Sequence, residues 1–203
     1  MKKVFSVLVI FCLVGCVGQL SDSDRYLEEE QKVKRQDSGA DFTKLRLYYT
    51  NTAMYKPFGG KEKELMGPMF NAMQKRDYKI CLQMAGEILE VNYVSLNAHY
   101  AATRCNYGLG AVEEGVFHKY VLDGLVASVG ASGTGTSKED AYVTISPNEM
   151  KAFLDLHGLD VRRQKTDRDK RKGRAYRIIT VVDETGGRKE VVFDITSQMS
   201  KGL

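Results

Sequence analysis

Two stretches decide the fold: residues 74–82 read QKRDYKICL, and residues 108–116 read GLGAVEEGV. They lie 34 residues apart, and at this offset apolar residues repeatedly match apolar residues. The matched pairs are Met73 with Tyr107, Tyr78 with Val112, Leu82 with Val116, Ile88 with Leu122, and Val91 with Leu125. A fixed period of this length is typical of stacked helical pairs. The repeat predicts four helices, at about residues 62–74, 77–90, 94–109 and 111–129.

The second stretch resembles the turn between the two helices of a tetratricopeptide repeat. Gly110 suits the left-handed residue that ends a helix, whereas the first copy has Arg76 at the same place. Gly115, or Cys81 in the first copy, lets a neighbouring helix backbone approach closely. Two copies are fewer than the three that normally share a stacked core, so we expect the flanking segments to cover the ends.

A single globular domain is predicted for residues 41–197. The chain has 203 residues, of which 43% are apolar, enough for a real core. The predicted fold class is α+β and mainly helical. A helical part, residues 41–129, comprises two tetratricopeptide-like hairpins and an N-terminal helix that Asp41 caps and that packs on the first hairpin. A glycine-rich loop, residues 130–139, leads to an α+β cap, residues 140–197.

The cap is predicted to be a small antiparallel sheet of about three strands with one helix. Residues 141–146, 174–183 and 189–196 are rich in residues that favour strands. Residues 184–187 read ETGG, a hairpin turn signal. Pro147 follows a serine and is suited to the first position of a short helix.

The N-terminus has the features of a bacterial lipoprotein signal. Two lysines precede an apolar run, residues 4–14, that is too short to span a bilayer. The run leads into LVGC at residues 13–16, which is similar to a lipobox, where a small residue precedes the cysteine that is lipidated. An ordinary secretory signal with a chance cysteine is the alternative. We predict a signal peptide at residues 1–15 and lipid attachment at Cys16.

Several acyl chains on Cys16 would attach the protein stably to a membrane, because one chain alone binds only marginally. Val17 is not the aspartate that retains such proteins at the inner membrane, so we expect the outer membrane, with the domain facing the periplasm. Residues 16–40 are polar and charged and are interpreted as a lipidated tether, with a solvated helix at about residues 24–36.

Residues spread over most of positions 41–197 carry a family resemblance. They are Asp41-Phe42, the Tyr-Lys-Pro-Phe loop at 55–58, Asn97-Ala98-His99, His118, Asp123-Gly124-Leu125, Ser132-Gly133 with Ser137, Ala141-Tyr142, Ile145-Ser146 and Val192-Phe193-Asp194-Ile195. On these residues the chain is similar to the DUF4919 family of bacterial lipoproteins. The resemblance implies a shared fold and an envelope location, and it implies no activity because the family has none assigned.

Two histidines, His99 and His118, fall on adjacent helices of the second predicted hairpin and can converge. A metal site would need a carboxylate or cysteine at close spacing, and neither HxxxH nor CxxC occurs, so no metal and no cofactor are expected. Structural roles are the simpler interpretation. The alternative is a small hydrolase or transferase that uses His99 or His118 near residues 130–137, where Ser132 and Ser137 could contact a ligand.

The glycine-rich loop itself does not predict a phosphate site. Gly130 and Gly135 have the spacing of a phosphate-binding loop, but Thr136 stands where the lysine is needed, and a helix rather than a strand precedes it. We interpret it as a flexible connection. The third histidine, His157, precedes Gly158 at a helix end, where the helix dipole accounts for it.

Two cysteines remain in the predicted domain, Cys81 and Cys105. An exported protein meets an oxidising compartment, where a disulfide is allowed. Cys81, however, occupies a position for a small packed residue, and buried free cysteine is common. The sequence therefore favours two free thiols.

A basic segment, residues 162–177, contains nine lysines and arginines against two aspartates. We interpret it as a solvated loop entering a hairpin. The alternative is that it binds anionic envelope lipids or polymers, with Arg163, Arg171 and Arg174 as contacts. The net charge of +4 for the whole chain is mild, and no nucleic-acid partner is expected.

No nucleophile elbow and no paired carboxylate pattern occur. The sequence therefore favours a non-enzymatic role and leaves an enzyme as the alternative. The favoured hypothesis is a non-enzymatic envelope lipoprotein whose helical hairpins bind a protein partner, since stacked helical repeats form concave binding surfaces. The candidate contact residues are Tyr93, Tyr100, Tyr107 and Tyr120.

Overall fold

The computed structural model describes residues 20–201, so the predicted signal peptide and Cys16 lie outside the described residues. The helices are α1 (Asp22–Lys34), α2 (Phe42–Tyr49), α3 (Gly60–Gln74), α4 (Tyr78–Leu89), α5 (Leu96–Leu109), α6 (Val112–Gly130), α7 (Pro147–Leu156) and α8 (Thr196–Lys201). The strands are β1 (Tyr142–Val143), β2 (Asp160–Asp169), β3 (Arg174–Val182) and β4 (Arg188–Asp194). None of these helices is both long enough and apolar enough to span a bilayer. The predicted fold class, α+β and mainly helical, is confirmed.

The 34-residue repeat folds as two helical hairpins, α3–α4 and α5–α6, as predicted. α4 begins at Tyr78, and α6 begins 34 residues later at Val112. Gly110 ends α5 with a φ of 78°, and Arg76 at the matching position has a φ of 65°. Non-glycine residues rarely adopt this left-handed conformation. The turn geometry therefore repeats even where the residue type does not.

The matched apolar residues of the fourth repeat helix are buried only in its C-terminal half. Leu122 and Leu125 of α6 belong to the core, whereas Val112 and Val116 are 59% and 53% exposed. Leu82, the partner of Val116 in the first copy, is half-buried against α3 and α5. The sequence period therefore located α6 correctly but overstated how much of it is covered.

A disulfide joins the two hairpins, so the prediction of two free thiols was wrong. Cys81 of α4 is bonded to Cys105 of α5, with their Cα atoms 6.5 Å apart. Both side chains are fully buried where α4 packs on α5, and facing positions at this separation suit a disulfide. With a sequence separation of 24 between the two cysteines, the bond stabilises the fold by about 3 kcal/mol through the entropy that the unfolded chain loses.

Residues 22–34 form a packed helix, in contrast to the solvated tether that we predicted. Ser21 and Asp24 form a capping box at the start of α1. Tyr26 and Val33 lie two turns apart on one face and are 1% and 0% exposed in the core. The packed part of the chain therefore begins at α1, not at residue 41, and α1–α2 supplies a third helical hairpin beside the two repeats.

α2 connects this N-terminal hairpin to the second repeat. Asp41 caps α2 as predicted and accepts a hydrogen bond from the Lys44 main-chain N–H at 2.9 Å. The ring of Phe42 lies on Gly124 of α6, where a Cβ atom would come within 2.3 Å of it. α2 thus packs against the second hairpin, whereas we expected the first.

The C-terminal cap contains a four-stranded mixed sheet with the order β1-β4-β3-β2. β1 is parallel to β4, and the other two pairs are antiparallel. The three predicted strands are present as β1, β3 and β4, but β1 is parallel and the sheet has a fourth strand. The basic loop predicted at 162–177 was wrong, because β2, a turn and the start of β3 occupy that segment. β2 is an edge strand with polar and charged side chains on both faces, so no apolar alternation marks it.

A buried ion pair fastens the cap to the helices. Arg46 of α2 donates two hydrogen bonds to the carboxylate of Glu149 in α7, at 2.7 and 2.9 Å. The same guanidinium donates to Ser128 of α6 and to the carbonyl of Val143 in β1. Arg46 is 1% exposed and Glu149 is 4% exposed. This contact, the Arg46–Glu149 pair, holds four elements in register.

Candidate functional site

The structure brings together the two histidines that the sequence placed on adjacent helices. Nδ1 of His99 lies 3.0 Å from Nδ1 of His118, and Nε2 of His99 lies 2.8 Å from the carbonyl oxygen of Tyr93. A carbonyl only accepts, so His99 carries its proton on Nε2 and accepts at Nδ1. His118 must then donate from Nδ1, which leaves its Nε2 as an acceptor.

This histidine pair is neutral at pH 7. Burial, together with the charge of a protonated His118, lowers the pKa of His99 to about 3. Burial also lowers the pKa of His118. Ser132 follows His118 by 14 residues, or roughly 20 Å along the axis of α6. The structure therefore does not bring the pair and the 130–137 loop together, as the hydrolase or transferase hypothesis requires.

The two serines proposed as ligand contacts serve the loop itself. Ser132 donates from Oγ to the carbonyl of Val129 at 2.6 Å and accepts from the N–H of Val143 at 2.8 Å. Ser137 accepts from the N–H of Asp140 at 3.3 Å. Both hydroxyls are thus engaged with the main chain of the loop and its flanks.

The three arginines proposed as ligand contacts do not converge either. Arg163 lies on β2 opposite Thr180 of β3. Arg174 begins β3, six residues and about 20 Å away along the sheet, with its Nε 3.7 Å from the Asp194 carboxylate. Arg171 lies in the turn between the two strands. All three side chains are exposed, so they form a dispersed basic edge and not a pocket.

A second buried polar group is Glu62, in the first turn of α3. Its carboxylate accepts hydrogen bonds from Ser95 Oγ at 2.8 Å, Asn92 Nδ2 at 2.9 Å and Asn97 Nδ2 at 3.3 Å. Over residues 20–201, no cationic side chain lies within 4.0 Å of it. Burial raises the pKa of Glu62, and the neutral hydrogen-bond donors oppose this rise only in part. We call Glu62 and these three donors the Glu62 cluster.

The Glu62 cluster borders a cavity of about 20 Å³, which has room for about one water molecule. Tyr49, Tyr55 and Glu149 also line it. A space this small excludes an organic substrate. The cluster instead joins the start of α3 to the turn before α5, and through Asn97 it reaches the surface described next.

An open groove lies between α3, α5 and α7, and we call it the helical groove. Its volume is about 190 Å³, and its lining is mainly apolar: Phe70, Leu96, Asn97, Tyr100, Ala152, Asp155 and Leu156. The rings of Phe70 and Tyr100 lie 6.3 Å apart along one wall. Leu156 on the opposite wall is 39% exposed. Phe70 and Tyr100 are half-buried, so three helices contribute large apolar side chains that are partly open to solvent.

Of the four candidate tyrosines, Tyr100 reaches the helical groove. Tyr93 is 5% exposed and is committed to the core. Tyr107 covers Gly115, whose Cβ position would lie 2.5 Å from its ring. Tyr120 packs edge-on against Phe42 with ring centroids 5.6 Å apart. The repeat predicted that a neighbouring helix backbone approaches Gly115 closely. The Tyr107 ring lies there instead.

Sequence reasoning missed three of the residues that define these sites. Glu62 carried a usable signal, because it falls on the face of α3 that also buries Met69 and Ala72, and a carboxylate on a buried helix face needs partners. Phe70 and Leu156 carried none, since they come from helices far apart in sequence.

A further cavity lies beside the glycine-rich loop, with His157 and Lys189 at its rim. His157 donates from Nδ1 to the carbonyl of Phe153 at 2.7 Å. The histidine beside the glycine-rich loop is therefore His157, which the sequence analysis explained by its position at a helix end, and not His99 or His118. We call this space the loop cavity.

Across residues 20–201, no three His, Cys, Asp or Glu side chains are grouped closely enough to hold a metal ion. No family model, no curated protein and no solved structure matches the chain. The resemblance to the DUF4919 family therefore stays a prediction.

Proposed function

We propose that this protein is a lipid-anchored bacterial envelope protein that binds a protein partner in the helical groove. The observation that carries the proposal is the apolar lining of this groove, in which Phe70 and Tyr100 are half-buried and Leu156 is 39% exposed. Aromatic side chains in a concave surface are typical anchors of protein interfaces. An enzyme needs convergent reactive groups, whereas His99 is fully buried and the Glu62 cluster borders a cavity of only about 20 Å³.

The polar groups of the helical groove indicate what kind of side chain fits there. Asp155 accepts from Lys151 at 2.6 and 2.7 Å, and Asn97 donates to Glu62. Asp155 is thus paired with a cation, and the Asn97 side-chain amide donates to Glu62. A volume of about 190 Å³ is about six water volumes, or room for one or two large apolar side chains. The occupant is therefore a partner segment that presents uncharged aliphatic or aromatic residues.

The walls of the groove rest on fixed supports. The disulfide of Cys81 and Cys105 ties α4 to α5, and the Glu62 cluster ties α3 to the turn before α5. The Arg46–Glu149 pair holds α7. A surface that is ordered before binding loses less conformational entropy when the partner arrives.

The envelope location is supported by chain chemistry. The disulfide suits an oxidising compartment outside the cytoplasm. Because α1 packs on the domain, only five residues separate Cys16 from Asp22. A chain segment of this length spans at most about 20 Å. A lipid on Cys16 would hold the helical domain close to the membrane surface.

The groove is tested by site-specific cross-linking in cells, with a photo-reactive phenylalanine analogue replacing Tyr100. We expect one discrete protein adduct, and we expect Phe70→Ala to weaken its formation. On the isolated pair, Phe70→Ala should reduce affinity more than tenfold, the loss of roughly 2 kcal/mol that is typical of a buried anchor.

The matched control places the same analogue at Leu27 of α1, which is 49% exposed on another surface. Leu109→Ala, at a position 46% exposed, is the control for affinity. Equal adducts from both positions, or equal losses from Phe70→Ala and Leu109→Ala, would show that the groove is not the binding surface.

The anchor is tested by Cys16→Ser, which removes the thiol that takes the lipid. We expect loss of labelling by a fatty-acid analogue and release of the protein from the membrane fraction. Cys12→Ser, four residues earlier inside the predicted signal, should leave both unchanged. Retention of the label in Cys16→Ser would refute lipid attachment at this residue.

A further inference from the structure

The loop cavity has a volume of about 240 Å³ and lies between the glycine-rich loop, the end of α7 and β4. Its floor is aromatic: the ring of Phe153 lies 5.0 Å from that of Tyr142 and 4.3 Å from that of His157. Gly135 forms part of the wall with a φ of +69°, and a Cβ there would lie 2.5 Å from the Tyr142 ring. The space equals about eight water volumes, so it suits a ligand of about ten non-hydrogen atoms.

One outward main-chain N–H of β4 lies at the border of this space. β1 pairs only with Phe193 and Asp194 of β4, and Val192 donates its N–H to the carbonyl of Gly135 at 2.8 Å. Outward-facing main-chain groups recur at every second residue of an edge. The next outward residue is Glu190, which lines the cavity, while its side chain lies on the opposite face with that of Val192. Its N–H therefore points away from β3, along the sheet edge that borders the cavity.

Lys189 supplies a positive charge at the same place. Strand alternation puts its side chain on the face of Val191, and both residues line the cavity. No carboxylate of the described chain lies within 4.0 Å of its ammonium. His157 lines the same cavity and donates from Nδ1 to the carbonyl of Phe153.

We propose that the loop cavity binds a small organic carboxylate with a flat apolar body. The ammonium of Lys189 and the N–H of Glu190 bind the carboxylate, and the apolar body lies on the rings of Tyr142 and Phe153. A cation and a main-chain N–H together recognise an oxyanion, and an aromatic floor with few polar groups is the usual make-up of a small-molecule site. This site is separate from the helical groove and does not depend on the proposed protein partner.

The test uses the full-length chain in lipid nanodiscs, with empty nanodiscs as the blank and phenylacetate as the probe. We expect ligand-observed NMR to show binding with a Kd of roughly 1 mM or tighter, as a compact ligand of this size can reach. Phenylacetamide, which lacks the charge, should bind at least tenfold more weakly. Lys189→Gln should weaken phenylacetate binding at least tenfold, whereas Lys172→Gln in the exposed β2–β3 turn should not change it.

Several results would overturn the proposal. One is that neither phenylacetate nor a set of carboxylates of similar size binds below about 10 mM. Another is that phenylacetamide binds as tightly as phenylacetate, which would leave the charge without a role. Equally tight binding of inorganic phosphate would leave the aromatic floor without a role. A third is that Lys189→Gln has no effect while Phe70→Ala abolishes binding, which would assign the ligand to the helical groove.

Discussion

Glu149 and Glu62 line the same cavity of about 20 Å³, yet the two carboxylates are stabilised in opposite ways. Glu149 is paired with Arg46, which lies 103 residues away in sequence. Glu62 has neutral donors, and the three hydrogen bonds described above come from residues within 35 positions of it. Burial raises the pKa of Glu62 because no cation offsets it. The comparison teaches that equal burial gives either a fixed ion pair or a proton-sensitive group, depending on the partner.

The largest effect is expected from Arg46→Met. Methionine fills similar space but leaves the carboxylate of Glu149 buried without its cation, which typically costs 3–5 kcal/mol. Urea unfolding should show this loss in the free energy of unfolding at pH 7. Arg25→Met on α1, where the ion pair with Asp22 is long at 3.8 Å and partly open to solvent, should change it by less than about 0.5 kcal/mol.

A double variant distinguishes the interaction between Arg46 and Glu149 from the separate contribution of each side chain. Arg46→Met with Glu149→Gln removes both charges, so it should recover part of the stability that Arg46→Met loses. If the double variant is as unstable as the sum of the two single variants, the two side chains do not interact, and the contrast with Glu62 has no basis.

The helical hairpins could be predicted because their signal is local and repeated. Tyr78 and Val112 start equivalent helices, and Gly110 marks one turn through its backbone conformation. Adjacent helices of one hairpin must face each other, so the approach of His99 and His118 also followed from the sequence. Arg76 shows the limit of residue type, since it adopts the left-handed conformation that favours glycine.

The features that sequence reasoning missed depend on contacts between distant elements. Cys81 and Cys105 face each other only because α4 and α5 pack at one particular register. Because most residues around Tyr26 and Val33 in α1 are charged, the segment was interpreted as a solvated helix. Glu149 follows Ser146 by three residues, a capping-box spacing, but its carboxylate accepts from the N–H of Ile145 and from Arg46.

The candidate site was also predicted only in part from the sequence. The sequence supplied four tyrosines as contacts for a partner, and a helical pattern alone cannot say which of them meets a groove. Tyr100 does so because α7, which follows it by about 50 residues, packs against α5. Phe70 and Leu156 complete the groove from either side. Such a surface exists only after three helices have been placed in space.

The smaller expected effect concerns Glu62 and depends on pH. The raised pKa means that the folded chain keeps the Glu62 proton at pH values where the unfolded chain has lost it. The stability from this group is therefore full below the usual carboxyl pKa of about 4.3 and is lost as pH rises through the folded value. Glu62→Gln removes the titration. We expect its stability relative to wild type to increase between pH 4 and pH 7.5, by less than Arg46→Met costs.

The measurement is the free energy of unfolding at several pH values for wild type, Glu62→Gln and Glu64→Gln. Glu64 is exposed on the same helix, so its variant should follow the wild-type pH dependence. Differences between curves matter here, because other groups that titrate in both proteins cancel. The pH dependence of the free energy of unfolding could be the same for Glu62→Gln as for wild type and Glu64→Gln. In that case Asn92, Ser95 and Asn97 stabilise the buried charge of Glu62 as well as Arg46 stabilises that of Glu149. Neutral donors and a cation would then be equivalent at this cavity.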